Sequence, residues 1–198
     1  LLLAIWLSLA LGPVSLPMSE TLRAGLRLLG VPLEADGLQR AELIIGQIRL
    51  PRTLLGLAVG AVLALTGVSM QGLFRNPLAD PGLVGVSSGA ALGAAFAIVL
   101  GASSTAVPPA VAPYLLSISA FAGGLLVTSL VFRLGRRDGQ TSVATMLLAG
   151  LALTALAGAV IGLLTYLADD ATLRSLTFWN LGSLNGASYA RLWPLLLV

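Results

Sequence analysis

The sequence predicts an all-α integral membrane protein, a polytopic helix bundle with about six spans in 198 residues. Three observations carry that prediction. Hydrophobic residues make up 57% of the chain and charged residues 10%, against roughly 45–50% and 25% in an average soluble domain, and mean hydropathy is +0.98. Uncharged runs are long: residues 53–74 carry no charge, and neither do the 52 residues between Asp80 and Arg133. Those runs are continuously apolar rather than alternating every second residue, which argues against a β-barrel wall. In lipid, backbone N–H and C=O groups must then bond within their own segment, and that means helices.

Residues 1–11 read as the back half of a hydrophobic helix and 192–198 as the start of another. The chain is therefore expected to be an internal piece of a longer membrane protein, with its first and last spans cut. Residues 12–52 form a long polar segment with five Arg and four acids, and the amphipathic stretch 38–48 suits a membrane interface. Residues 53–74 supply the first full span, since ~20 apolar residues cross a hydrocarbon core ~30 Å thick. The sequence RNPLADPG at 75–82 is a tight turn bounded by prolines. Pro77 pushes Asn76 toward extended geometry. Asp80 is placed to cap a helix beginning at Pro81, where a missing N–H costs nothing.

Two further spans, 82–100 and 114–132, are separated by a turn rich in Gly, Ser and Pro, with Pro108, Pro109 and Pro113. RLGRRDGQ at 133–140 is a short basic loop, and 142–167 is a fourth full span. Residues 168–191 are mixed polar and aromatic, with Asp169, Asp170, Arg174, Phe178, Trp179 and Tyr189. Small residues recur at spacing four in Gly56/Gly60, Gly85/Gly89/Gly93 and Gly158/Gly162, and such faces let helix backbones approach closely. The last pair is expected to face helices outside this chain.

Charge leaves the orientation open. The loops 75–82 and 133–140 must share a side and hold Arg75, Arg133, Arg136 and Arg137, while the opposite side holds seven Arg. Plain counting of positive charge puts the long first segment in the cytoplasm, but the tight cluster beside a helix end argues the reverse.

Absent residue types exclude several functions. Eleven Arg against eight acids are too scattered to form the basic stripe of a nucleic-acid binder. The chain has no Cys, His or Lys, so it offers no thiolate, no imidazole base, no strong metal site and no G-x-x-x-x-G-K phosphate loop. ATP hydrolysis by that route would belong to another subunit. The four full spans contain no acid either, which leaves an intramembrane enzyme little to work with.

One ordered set of motifs goes further. Arg49-Leu50-Pro51-Arg52, Gln71-Gly72, Asn76-Pro77-Leu78-Ala79-Asp80-Pro81, Leu83-Val84-Gly85-Val86 and Gly89-Ala90 closely resemble the permease subunits of binding-protein-dependent type II ABC importers for iron chelates, haem and vitamin B12. The match runs in order from the first span to Val198. The resemblance implies a ten-helix permease domain, of which residues 1–198 look like the N-terminal part, the later spans and coupling helices lying outside. It also implies a homodimer in the lipid of the bacterial inner membrane, two ATP-binding subunits that hold ATP and Mg, and a periplasmic substrate-binding protein. The chain is then a transport subunit and not an enzyme, with no cofactor of its own.

By that resemblance the segment before Arg52 is periplasmic, and Arg49 and Arg52 dock on acidic residues of the binding protein. The planar guanidinium suits bidentate carboxylate pairing, although both could equally snorkel as interface anchors. The resemblance also makes Asn76, Leu78, Thr141 and Ser142 a cytoplasmic gate, where small or apolar side chains seal without gripping cargo. The alternative for Thr141 or Ser142 is an N-cap on the next helix. Residues 168–184, ADDATLRSLTFWNLGSL, look most like haem permeases, so haem is the expected substrate, with a ferric siderophore or vitamin B12 as the alternative. Met18, Met70, Met146, Tyr114, Tyr166 and Tyr189 are the only side chains that could approach iron, and each more often serves packing or the interface.

Overall fold

The structure, a computed structural model, describes residues 1–28, 30–32, 38–101, 111–137 and 140–192. They form two compact units, one from Leu1–Ala64 with the segment that starts at Leu184, the other from Leu65–Ser183.

In the first unit, α1 (Leu2–Ala10) precedes α2 (Met18–Leu28), which carries Glu20 in its first turn and Arg27 in its last, a distribution that complements the helix dipole. Next, α3 (Gln39–Leu43) runs through a π-helical turn, Ile44–Arg49, into α4 (Leu50–Phe74). Ala24 of α2 packs with Ala41 and Ile45, flanked by Leu9 and Leu16, and Arg27 pairs with Glu42 at 3.0 Å. The stretch 38–48 does not stand apart from the span that follows. It is the start of one continuous 36-residue helix, Gln39–Phe74. At 1.5 Å per residue this helix is about 54 Å long, nearly twice a ~30 Å hydrocarbon core, so its charged first turns have room to stand clear of lipid.

In the second unit α4 ends in a Schellman motif. The amide of Asn76 donates to Gln71 O at 3.1 Å and that of Arg75 to Gly72 O at 3.3 Å, with Arg75 at φ 49°. A 3₁₀ turn, Pro81–Val84, follows; Asp80 caps it by accepting from Gly82 N at 2.7 Å. Gly85 then takes φ 77°, so the helix cannot run on from Pro81, and α5 spans only Val86–Gly101. The expected span 82–100 is therefore a turn plus a 16-residue helix, about 24 Å long. After it come α6 (Ala112–Gly135), α7 (Val143–Leu167) and α8 (Asp170–Leu181). Between α6 and α7, β1 (Arg136–Arg137) and β2 (Gln140–Thr141) form a two-residue antiparallel ladder with Arg136 opposite Thr141. Back in the first unit, α9 is the short Tyr189–Leu192.

Among the described residues three helices are long and apolar enough to cross a membrane: Gln39–Phe74, Tyr114–Gly135 and Val143–Leu167. In the second unit α5 packs on α6, and α7 on the Pro81–Val84 turn, by backbone approach. A Cβ on Gly89 would stand 2.8 Å from Val127 Cβ, and one on Gly93 would strike the Ser119 carbonyl. Gly85 faces Val127 in the same way, Gly135 meets Met146 and Gly150 meets the Leu83 carbonyl. Between α5 and α7, Ser88 and Thr154 share a hydroxyl hydrogen bond of 3.1 Å. Val84, Val131 and Met146 form one core beside Met70 and Phe74, and Ala95, Leu164 and Leu176 form another.

The other spaced glycines behave differently. Gly56 makes ordinary contact with Leu184, 3.6 Å from where its Cβ would be, while Gly60, Gly158 and Gly162 meet nothing within 4 Å. The packing role expected for those three is not exercised among the described residues, because small-residue spacing permits close approach without supplying the neighbour.

This contrast is testable by thermal unfolding in detergent. Gly93→Ala is expected to destabilise by about 1–3 kcal/mol, the usual range for overpacking. Gly162→Ala is expected to be neutral or to stabilise by up to ~1 kcal/mol, because alanine is the better helix former and nothing there obstructs it.

Candidate functional site

The RLPR segment is built around a proline that cannot donate. In the π-helical turn each amide bonds five residues back, as Leu50 N does to Ile45 O. In that register Gly46 O awaits the amide of residue 51, which is Pro51 and has none. The hydroxyl of Tyr189 takes its place, donating to Gly46 O at 2.6 Å. Downstream, Thr53 Oγ1 donates to Arg49 O at 2.9 Å and shares a 2.7 Å hydrogen bond with Ser8 Oγ.

The two arginines of the motif have different fates. Arg49 is only 6% exposed. Its Nη1 donates to Leu9 O at 2.7 Å and Ala10 O at 2.8 Å, and its Nη2 donates to Val14 O. These carbonyls end α1 and begin the turn after it, where helix C-termini carry unsatisfied acceptors and partial negative charge. Gly12 makes room, since a Cβ there would lie 2.9 Å from Arg49 Nη2. Arg52, by contrast, is exposed. Both line a cavity of about 700 Å³ with Ser8, Gly12 and Ile48. The Arg49 guanidinium is thus turned inward and held by the backbone, while Arg52 is the exposed arginine of the motif.

The residues expected to form a gate lie in the second unit. The Val84–Val131–Met146 core, flanked by Phe74, brings the 75–82 turn and the 133–140 loop to one end of that unit. Asn76 Oδ1 accepts from Leu78 N at 2.9 Å, and Leu78 itself is 85% exposed. Ser142 caps α7, accepting from Thr145 N at 3.3 Å and Thr145 Oγ1 at 3.0 Å, while its own amide donates to Gly135 O at 2.9 Å. Thr141 is exposed at the end of the ladder. Asn76 and Ser142 thus fix their own backbones and leave Leu78 and Thr141 free.

The profile of the FecCD transport family matches residues 1–198. The chain belongs to the FecCD transport family. It is 50% identical over 145 residues to the hemin transport system permease protein HmuU of Yersinia pestis, covering 73% of this chain and 42% of that one. It is 42% identical over 158 residues to the cobalamin import system permease protein BtuC of Halobacterium salinarum, covering 80% and 40%. A solved structure of a metal-chelate type ABC transporter in an inward-facing conformation superposes with a TM-score of 0.75 at 33% identity, over 99% of this chain and 56% of that one. This FecCD chain therefore spans less than half the length of those two curated relatives.

Within this FecCD chain, α8 carries most of the 168–184 segment. Asp169 caps it, accepting from Thr172 N at 2.8 Å. The Thr172 side chain and amide, with Arg174 nearby, hold the Asp169 carboxyl below its usual range. Leu176 is buried against Ala95 and Leu164, whereas Phe178 is 69% exposed. Of the methionines and tyrosines, Met146 is core beside Met70, Tyr189 is spent on Gly46, and Met18, Tyr114 and Tyr166 are exposed. Among the described residues no cluster of acids could hold a metal ion.

Sequence reasoning missed Gly12, the hydrogen bond of Tyr189 to Gly46 and the glycines Gly123 and Gly150, whose neighbours crowd them as closely as any named above. A signal existed for Gly123, which stands four residues after Ser119. Pro51 likewise announces an orphaned carbonyl upstream.

Two outcomes follow in stability measurements. Arg49→Met is expected to cost about 2–4 kcal/mol, since three carbonyls lose charge-assisted donors, while Arg52→Gln should stay within ~0.5 kcal/mol; denaturation of the detergent-solubilised chain compares them. Because the folded Asp169 carboxyl titrates below its unfolded value, its contribution is present above about pH 4 and is lost as pH falls through the depressed value. Amide exchange at Thr172 should accelerate in that window, and Asp169→Asn, which still caps, should abolish the dependence.

Proposed function

We propose that the chain is the N-terminal part of the transmembrane permease subunit of a bacterial binding-protein-dependent ABC importer that moves haem across the inner membrane. The observation that carries this reading is the 50% identity to a hemin permease within a family match that covers the whole chain. The energy source is a pair of separate ATP-binding subunits that hold ATP and Mg, and the permease works as a homodimer by alternating access at its two-fold interface. It has no cofactor of its own, and haem enters as cargo.

In this reading the periplasmic binding protein docks on Arg52, whose exposed guanidinium is free to pair with a carboxylate. Arg49 acts from beneath, fixing the end of α1 against the helix that presents Arg52. In the second unit Leu78 and Thr141 face the pathway, while Asn76 and Ser142 hold the two loops in shape. Methionines and tyrosines serve packing, and cargo is passed on without strong ligands because conduction requires release.

A second cargo has a specific observation in its favour. Two cobalamin permeases, from Halobacterium salinarum and Salmonella paratyphi A, match at 42% and 43% identity over 80% and 78% of the chain, a longer stretch than the hemin permease covers. ATP-dependent uptake separates the cargoes when the complete permease, its ATPase and its binding protein are reconstituted in liposomes. Haem uptake with little cobalamin or ferric-siderophore uptake is the expected result; the converse would transfer the cargo assignment and leave the importer reading standing. In the same assay Arg52→Glu is expected to weaken binding-protein affinity by about tenfold, a loss of ~1.4 kcal/mol, and to flatten its salt dependence, because the attraction that salt screens is gone.

A further inference from the structure

The face of α6 turned away from α5 ends in a cation, Arg133, that pairs with no acid among the described residues. On its inner side Ser119, Gly123 and Val127 meet α5. On its outer side Leu125 and Leu126 are each 59% exposed and, with Ala122, Ser129 and Leu130, line a groove of about 420 Å³ that stops at Arg133. From Ala122 to Arg133 the helix rises about 16 Å, close to the ~15 Å depth of one leaflet's hydrocarbon layer.

A second cavity, of about 380 Å³, lies on the other flank of the same helix end. Met70, Val84, Thr128, Phe132 and Met146 line it, and Ser129 and Arg133 belong to both spaces. Two apolar channels therefore converge on one guanidinium. Arg133 is exposed and makes no ion pair among the described residues. Arg136 follows one turn later, also exposed. The hydroxyl of Thr128 is buried without a hydrogen-bond partner, about 7 Å deeper along the helix than Arg133.

We propose that this end of α6 binds an anionic diacyl phospholipid, one acyl chain in each channel and the phosphate on Arg133. The length of the outer groove suits an acyl chain and not a water-soluble ligand. The guanidinium fork pairs with two phosphate oxygens at once, and basic pockets between spanning helices hold anionic headgroups. Thr128 and Ser129 stand where the glycerol esters offer carbonyl acceptors, which would satisfy the orphaned hydroxyl. The site is independent of the cargo and of the importer reading; it needs only that α6 lies in a bilayer.

The test uses the full chain purified in detergent and native mass spectrometry with phosphatidylglycerol or phosphatidylcholine carrying identical acyl chains. Phosphatidylglycerol should be retained about five-fold better, the ratio expected for one basic residue at an anionic headgroup. The preference should fall to near parity in Arg133→Gln and survive in Arg133→Lys. Equal retention of both lipids by the unsubstituted chain, or an undiminished preference in Arg133→Gln, overturns the proposal. Should Arg133→Gln fail to fold, a benzophenone side chain installed at Leu126 decides with Arg133 in place. Photo-crosslinking to phospholipid is the expected outcome, and crosslinking to a second copy of the chain or to another polypeptide overturns it.

Discussion

Hydrocarbon offers a backbone carbonyl nothing to bond to, and the architecture follows from that shortage. Within a helix the demand is met locally; at each break some other group must answer, or a desolvated acceptor costs several kcal/mol. The end of α1 is answered by Arg49, the gap at Pro51 by Tyr189, and the end of α4 by the Arg75–Asn76 turn. The amides that open the later helices are answered by Asp80, Ser142 and Asp169. Motif residues that look like surface chemistry in the sequence are therefore largely occupied with keeping the backbone satisfied where helices stop.

The same solvent removes the usual reason for helices to associate, because a leucine gains little by leaving lipid for another leucine. Contact must come from dispersion at short range, and that requires backbones to touch. The α5–α6 pair does this through Gly89, Gly93 and Gly123, each set against a main-chain atom of the other helix. Outside that seam, Phe121, Leu148 and Leu151 stay exposed, which would be costly in water and is the expected surface in a bilayer.

Class and punctuation were legible in the sequence because both are local. Hydropathy over 114–132 and 142–167 specifies helices long enough to cross, and the Asp80–Pro81 pair specifies a cap that is present. Length at 82–100 was misjudged because hydropathy does not register that Gly85 must turn left-handed. The continuity of 39–74 was missed because the charges up to Arg52 set residues 12–52 apart as a polar segment, yet the helix starts within it and a π-helical turn carries it past Pro51. Partners far along the chain were beyond reach. Pro51 declares a free carbonyl, but nothing near it says that the donor stands 143 residues away. Glycine spacing marked Gly158 and Gly162 as readily as Gly89 and Gly93, since spacing describes a face and not what meets it.

The RLPR motif shows why two arginines three residues apart need not share a task. Residues at i and i+3 neighbour each other on a helix, so a fixed guanidinium at Arg49 also fixes the turn that carries Arg52. Arg49 could not be replaced by lysine on equal terms, because a single ammonium cannot span Leu9, Ala10 and Val14 with a planar fork. Anchoring of this kind lowers the ordering cost of any association made through Arg52, which is where preorganised interfaces gain affinity. In the proposed importer it does more. A pull or push on Arg52 would reach the end of α1 through Arg49, whose guanidinium holds the Leu9, Ala10 and Val14 carbonyls at the head of the first full span.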